Sequence, residues 1–248
     1  MLIEIFRQAW SSLKRNPARS ALTMLGIVWG IVTVALLVAY GGSFRSILME
    51  AFYAFGRSAV ICWPGQTSMQ AGGERAGRPV RFEQADVDVI KAEAPLVKDV
   101  CLETVKWLPV TYDQRLQQTA IRGVCPEYGE MRNEVAAEGR WITPEDILQR
   151  RRVCFLGNRM KKKLSSGRPA VGETVRIDGV QFTVIGVMDT KIQMSNYFTS
   201  DDESIFIPYS AASSLWDTRY ASVMVFASVS PAHEEAAMKQ VRAAVAKR

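Results

Sequence analysis

No charged residue interrupts the chain from Ser20 to Phe44, a stretch that contains ALTMLGIVWGIVTVALLVAYGG, although 23% of the 248 residues are charged. About 20 apolar residues in a helix cross the hydrocarbon core of a bilayer. The stretch is therefore read as a membrane-spanning helix. A cleaved signal peptide is the competing reading. Its apolar core runs about 7–15 residues and ends at a small-x-small cleavage site. Here the apolar core is longer, and LLVAYGGSF offers no clean Ala-x-Ala.

The flanks set an expected orientation. Arg7, Lys14, Arg15 and Arg19 precede the span against a single acid, Glu4. Basic residues stay on the cytoplasmic side. The N-terminus is thus expected inside and everything after about Phe44 outside, which in a Gram-negative cell is the periplasm. About half of the formal charge of +6 comes from those first residues. The remainder, spread over the outer part, is no nucleic-acid footprint. The basic end suits topology and anionic headgroups, so membrane lipid is an expected partner and nucleic acid is not.

Ile3, Phe6, Trp10 and Leu13 recur three and four apart, on one helical face, with Glu4, Arg7, Gln8, Ser11, Ser12 and Lys14 around them. Residues 1–19 are read as an amphipathic helix in the cytoplasmic interface, with packing on a partner protein as the bland alternative. Pro17 suits a bend into the span. Gly26 and Gly30 form a small-xxx-small pair, a candidate helix-packing face. Phe44, Ile47, Leu48, Ala51, Phe52 and Phe55 continue at helical spacing to Gly56. Residues 20–56 are therefore expected to be one helix, a membrane span continued as a stiff stalk. Those six residues are the coupling candidates, a passive tether being the alternative.

The fold class expected is α+β: one N-terminal transmembrane helix, then an extracytoplasmic domain of two mixed α/β subdomains. SAVICWPG reads as a strand and RFEQADVDVIKAEAP as a helix ended by Pro95. KDVCLETVKWLPVTYDQRLQQTAIRGV reads as two strands about a turn near Asp113, and PEYGEMRNEV as a short helix. RRVCFLG is a buried strand followed by the helix NRMKKKLS. ETVRIDGVQFTVIGVMD is the clearest hairpin, turning at Asp178-Gly179. SIFIPYSAASSLW is a strand running into a helix, and YASVMVFASVS another strand. PAHEEAAMKQVRAAVAKR is a final helix with Ser230 as N-cap. Strand–helix alternation from about Ala59 to Val124, and again from Val153 onward, suggests the two subdomains.

Chemistry is sparse. The single histidine, His233, sits in the first turn of an amphipathic helix and reads as a solvated residue. A catalytic triad or a two-histidine metal site would have to be built from that one group. There is no GxxxxGK[ST] phosphate loop. Gly157 in GNRMKKKL superficially resembles an anion site and reads better as a strand-to-helix turn. Asp201, Asp202 and Glu203 lack ordered cation-ligand spacing and read as a solvated acidic loop. No catalytic, cofactor-binding or metal residue is assigned, and the chain is read as no enzyme. The loop from Gln66 to Arg78 and MSNYFTSDDES look polar and flexible, as partner contacts or plain solvated loops. Cys62, Cys101, Cys125 and Cys154 allow three full pairings, among which sequence does not choose. An oxidising outer compartment permits disulfides.

ARSALTMLGIVWGIVTVALLVAYGGSF resembles the first membrane helix of MacB-type ABC transporter permeases. ICWPG, GVCPEYGEMRN, EGRWITPEDI, RRVCFLGNRMKKKL, PAVGETVRIDGVQFTVIGVM and SIFIPYSA resemble, in order, the MacB-like periplasmic core domain over residues 57–248. The resemblance implies a dimeric inner-membrane permease component for efflux or mechanotransmission, without cofactors. Its implied partners are an ABC ATPase subunit and further transmembrane permease helices or a second copy. Such permeases continue into three more membrane helices, whereas no later apolar span follows here up to Arg248. One helix per subunit makes no translocation path. The alternative is a single-pass, membrane-anchored periplasmic scaffold or adaptor with no transport role. A membrane-anchored enzyme is the remaining class, and it loses on the single histidine.

Overall fold

The computed structural model describes residues 16–54, 59–66, 79–190 and 197–247, together with residues 4, 7, 10 and 77. Two units are distinguished, residues 1–50 and 51–248.

Helix α1 (Pro17–Ala54), which belongs to the first unit as far as Glu50, starts at Pro17 and runs without a break through the apolar stretch. Its portion Pro17–Arg45, 29 residues, is long and apolar enough to cross a membrane, and none of its apolar window is buried in protein. At 1.5 Å per residue that portion is ~43 Å long, against ~30 Å of hydrocarbon. The Thr23 and Thr33 hydroxyls donate to the Arg19 and Trp29 carbonyls, each at 2.8 Å. Their polar groups are thereby satisfied inside the helix, as a lipid environment requires. Of the amphipathic segment expected over residues 1–19, Glu4, Arg7 and Trp10 are helical and exposed, and most other positions lie outside the described residues.

The second unit is organised by one long strand. β1 (Ala59–Cys62) pairs antiparallel with β9 (Val223–Ser228), and β9 with the first part of β2 (Val97–Tyr112). From Thr104 onward β2 changes partner and pairs with β3 (Arg115–Val124). β3 pairs with β8 (Ile205–Pro208), β8 with β5 (Val153–Leu156), and β5 with β7 (Val180–Met188). β6 (Thr174–Ile177) joins β7 back to β2, so six strands close a ring, while β4 (Ala136–Gly139) flanks β7. β2 is thus shared by an open three-stranded sheet and a small barrel. Asp178 and Gly179 turn the β6–β7 hairpin at φ of 48° and 82°, as the Asp-Gly pair predicts.

Alternation sorts the side chains into layers. Leu108, Val110, Ile121, Cys154, Leu156, Val175, Ile177, Phe182, Val184, Ile205 and Ile207 fill the barrel, with Met160 and Leu164 from helix α5 (Asn158–Ser165). On the open sheet, Val100, Leu102, Met224 and Phe226 meet Val87 and Ile90 of helix α2 (Gln84–Glu93) and Ala237, Val241 and Ala244 of helix α7 (Glu234–Val245). A third cluster holds the sheet's other face, Cys101, Val223 and Val225, against the barrel's outer face, Phe155 and Phe206. Helix α3 (Tyr128–Arg132) contributes Tyr128 and Met131 to it. Helices α4 (Pro144–Leu148) and α6 (Tyr209–Ala212) complete the elements used below.

The α+β class with an N-terminal apolar helix is as expected. The division into halves does not follow sequence order. β9 and α7, expected in the second subdomain, complete the first, because β9 lies between β1 and β2. Ser230 precedes a 3-10 turn, Pro231–His233, so the final α-helix starts at Glu234, later than the cap placed it.

Candidate functional site

Charge is buried most densely in the layer between the open sheet and the barrel. Alternation along β3 turns Ile121 into the barrel and Arg122 out of it, toward the aromatic cluster. There the Arg122 side chain is fully buried. Its Nε donates to Glu103 Oε1 at 2.5 Å, Nη1 to Asp201 Oδ1 at 2.5 Å, and Nη2 to Tyr128 Oη at 2.7 Å. Tyr197 donates its hydroxyl proton to Glu103 Oε2 at 2.6 Å. Having one proton, Tyr197 can only accept across the 2.7 Å contact with Tyr128 Oη, so Tyr128 is the donor there. The four groups form a closed ring of directed hydrogen bonds. Asp201 extends it by accepting from Arg132 Nη2 at 3.1 Å.

Five parts of the chain meet here. β2 supplies Glu103, β3 supplies Arg122, α3 supplies Tyr128 and Arg132, and the segment before β8 supplies Tyr197 and Asp201. Phe206 of β8 closes the ring's apolar side, its ring centre 5.3 Å from the Arg122 guanidinium carbon, with Tyr197 at 4.7 Å. Burial works against the Arg122 charge, but Glu103, the two tyrosines and Asp201 outweigh it and hold the guanidinium protonated. Burial also pushes both tyrosine hydroxyls well up, over the opposing pull of Arg122, and keeps them neutral donors.

Cys101 and Cys125 are joined by a disulfide in the same layer, their Cα atoms 5.9 Å apart. Cys62 and Cys154 are free, and burial pushes the Cys62 thiol up to about 11. Nearby, Asp146 of α4 accepts from both Nη atoms of Arg140, at 2.6 and 3.1 Å, and from the Thr143 backbone N–H at 3.0 Å. Burial opposes its ionisation, but these donors prevail and bring its carboxyl down to about 2.

The acidic stretch differs from the solvated loop expected. Asp201 and Asp202 are buried, and Glu203 faces Lys163 Nζ at 3.0 Å. The backbone of Asp201 and Asp202 lies so close to Gly157 that any Cβ there would collide with it. The start of α5, with its positive dipole end, is therefore occupied by the chain itself. Of MSNYFTSDDES, residues 194–196 lie outside the described residues, and Tyr197 to Ser204 is a pinned turn. Phe198 sits at a φ of 66° in a γ-turn closed by Thr199 N–H to Tyr197 C=O at 2.9 Å. It presents its ring to Trp63, 5.0 Å away. Most of the loop from Gln66 to Arg78 lies outside the described residues, and Gln66 and Pro79 bridge its two ends.

Gly26 and Gly30 lie on α1 with open space around the positions their Cβ atoms would take. Phe44 and Ile47 are exposed and Leu48 half-buried on the same helix. Ala51 and Phe52 are within α1, and Phe55 lies outside the described residues. His233 is exposed, its Nδ1 2.7 Å from Ser230 Oγ. Among the described residues no group of three or more His, Cys, Asp and Glu is placed to hold a metal ion. The buried ring corresponds to no spacing motif in the sequence. A signal for it exists in TAIRGV and VCLETV, each a lone charge inside an apolar strand, a pattern tolerated only when the charge is paired.

A family model described as the MacB-like periplasmic core domain matches residues 20–246. The macrolide export ATP-binding/permease protein MacB of Bdellovibrio bacteriovorus is 28% identical over 190 residues, covering 77% of this chain and 29% of that protein. The pyoverdine export ATP-binding/permease protein PvdT of Pseudomonas aeruginosa is 31% identical over 228 residues, 92% of this chain and 33% of that protein. The chain thus spans about a third of the length of such relatives. Among solved structures, the extracellular domain of the noncanonic ABC-type transporter YknZ from Gram-positive bacteria matches with a TM-score of 0.63 at 17% identity, covering 76% of this chain and 93% of that domain. The periplasmic region of MacB from Actinobacillus actinomycetemcomitans matches with a TM-score of 0.61 at 16% identity, covering 79% and 88%. These two likenesses concern the fold.

Proposed function

The chain belongs to the MacB-like periplasmic core domain family of ABC transporter permeases, and from that premise we propose that it couples ATP hydrolysis on a partner ATPase to motion of an extracytoplasmic domain, for export or mechanotransmission. The observation that carries this reading is the unbroken helix α1. An apolar span and some ten further residues share one hydrogen-bonded rod, so displacement at one end reaches the other without a hinge. Phe44, Ile47, Leu48, Ala51, Phe52 and Phe55 are the residues proposed to pass that motion on, and Gly26 and Gly30 the contact for a neighbouring membrane helix. The buried ring supports the same reading, because a domain whose two halves are pinned by directed bonds responds as one body. On this reading the N-terminus is cytoplasmic and the domain periplasmic, which the basic residues Arg7, Lys14, Arg15 and Arg19 before the span support. No chemical step is assigned to the chain itself.

The test is gentle extraction of the tagged full chain from its native membranes, with mass spectrometry and an ATPase assay on what accompanies it. An ABC ATPase recovered together with multi-span permease helices supports the proposal. Recovery of the chain alone, or with extracytoplasmic proteins only, overturns it in favour of an anchored scaffold. In the assembled complex Ile47→Pro interrupts the rod. ATP hydrolysis is expected to persist while transport or its mechanical readout falls at least tenfold.

A further inference from the structure

We propose that the Cys101–Cys125 disulfide is a redox-set lock on the junction between the open sheet and the barrel, distinct from the packing that holds either half together. The bond sits where β2 and β3 part company. Up to Glu103, β2 is paired with β9, and from Thr104 it is paired with β3. Cys101 lies on the β9-paired part, opposite Val225, and Cys125 follows directly on the last residue of β3. The Cys125 backbone N–H donates to Cys101 Sγ at 3.1 Å, which seats the two residues together. The cross-link therefore closes the fork from which α3 departs.

What α3 carries makes that position consequential. Tyr128 and Arg132, three and seven residues beyond Cys125, enter the buried ring and its Asp201 extension. The Pro126 carbonyl accepts from the Trp141 indole N–H at 2.9 Å, while the carbonyls of Cys125, Pro126 and Glu127 accept from the N–H groups of Tyr128, Gly129 and Met131 in the turn they open, so those backbone bonds are local to α3. The barrel interior contains neither cysteine, and neither does the apolar layer under α2 and α7. Both belong to the junction cluster, Cys101 within it and Cys125 packed on its margin. Opening the bond frees the start of α3 while leaving the two cores intact.

The chemistry is thiol–disulfide exchange. On closure the two thiols lose two protons and two electrons to a disulfide-carrying oxidant, which leaves as a dithiol. On opening, a dithiol reductant attacks sulfur, forms a mixed disulfide, and departs oxidised as two protons return to the cysteines. Cys125 is the half-buried partner, and Cys101 is 1% exposed, so attack falls on Cys125 Sγ.

The experiment is hydrogen exchange read by mass spectrometry on the full chain in detergent, before and after treatment with a phosphine reductant. Thiols are alkylated at lysis to record the native state. Alkylation is expected at neither Cys101 nor Cys125 until reduction. On reduction, amides of residues 125–134 and 197–203 are expected to exchange about ten- to a hundredfold faster, with β5, β7 and β8 unchanged. The Cys101→Ala/Cys125→Ala variant should behave like the reduced protein and ignore the reductant. Cys101 and Cys125 alkylated at lysis, exchange unaltered by reduction, or barrel and junction opening together would each overturn the proposal.

Discussion

The barrel interior and the junction are two faces of the same strands, and they are held by opposite means. Ile121, Leu156, Ile205 and Ile207 point inward to an all-apolar cluster. Their neighbours Arg122, Phe155 and Phe206 point outward, into a layer where aromatic rings enclose two arginines and two carboxylates. An apolar interior is specified by volume and tolerates rearrangement at constant volume. A ring of directed hydrogen bonds is specified by geometry, because a guanidinium fork accepts one set of partner positions. The barrel therefore secures that half of the domain folds. The ring secures that the halves dock in one register.

The largest expected effect tests the ring. Arg122→Ala leaves Glu103 and Asp201 buried without their main partner, at a cost of about 3–5 kcal/mol. For a domain of this size that lowers Tm by roughly 10–15 °C, read by calorimetry or circular dichroism. The comparison is sharpened by Arg122→Met combined with Glu103→Leu, which removes both charges and leaves Asp201 with Arg132. If register, not net energy, is what the ring supplies, the double variant recovers much of the Tm. Protease sensitivity near residues 197–203 then stays high. A double variant no more stable than Arg122→Ala breaks the comparison, because buried charge is then not the cost.

Leu156→Ala is the matching probe of the barrel. It deletes buried methyl groups from a closed apolar cluster and is expected to cost about 2–4 kcal/mol, with Leu156→Met costing less than about 1.5. Urea unfolding measures both. The pair distinguishes the two regions by tolerance: a volume-conserving exchange succeeds in the barrel, whereas at position 122 no uncharged residue of similar volume restores the native junction. Equal losses for Leu156→Ala and Leu156→Met would mean that the barrel too depends on exact shape.

What could be read from the sequence divides along the same line. Period-two alternation in VRIDGVQFTVIGV and the Asp178-Gly179 turn gave β6 and β7, because strand and turn signals are local. The short apolar runs VCFL and SIFIP gave β5 and β8 for the same reason. The return of β9 between β1 and β2 was hidden, since pairing across more than a hundred residues leaves no local mark. The ring was hidden more deeply. Glu103, Arg122, Tyr197 and Asp201 are scattered in sequence and converge only after β2 has switched partners. Asp201 and Asp202 misled, because consecutive acids signal solvent unless something distant compensates them, and here Arg122 and Arg132 do so for Asp201.

Asp146 offers the smallest effect and a finer cut of the comparison. Its side chain is as buried as that of Asp201, yet its partners Arg140 and Arg151 are nearly half exposed. Water screens such a pair and reduces its worth, so about 1–2 kcal/mol is expected where the ring supplies more. The carboxyl, brought to about 2 in the folded chain, has an ordinary value near 4 when unfolded. A depressed acid stabilises the fold above its unfolded pKa and loses that contribution as pH falls through its folded value. Asp146→Asn should therefore lower the urea midpoint at pH 7, and the gap to the unaltered protein should close between about pH 4 and pH 2. The Asn side chain keeps one acceptor oxygen for the Thr143 N–H, so the capping turn of α4 survives and the loss reports the charge. A gap that stays constant down to pH 2 would show that shape at this site, as in the barrel, matters and charge does not.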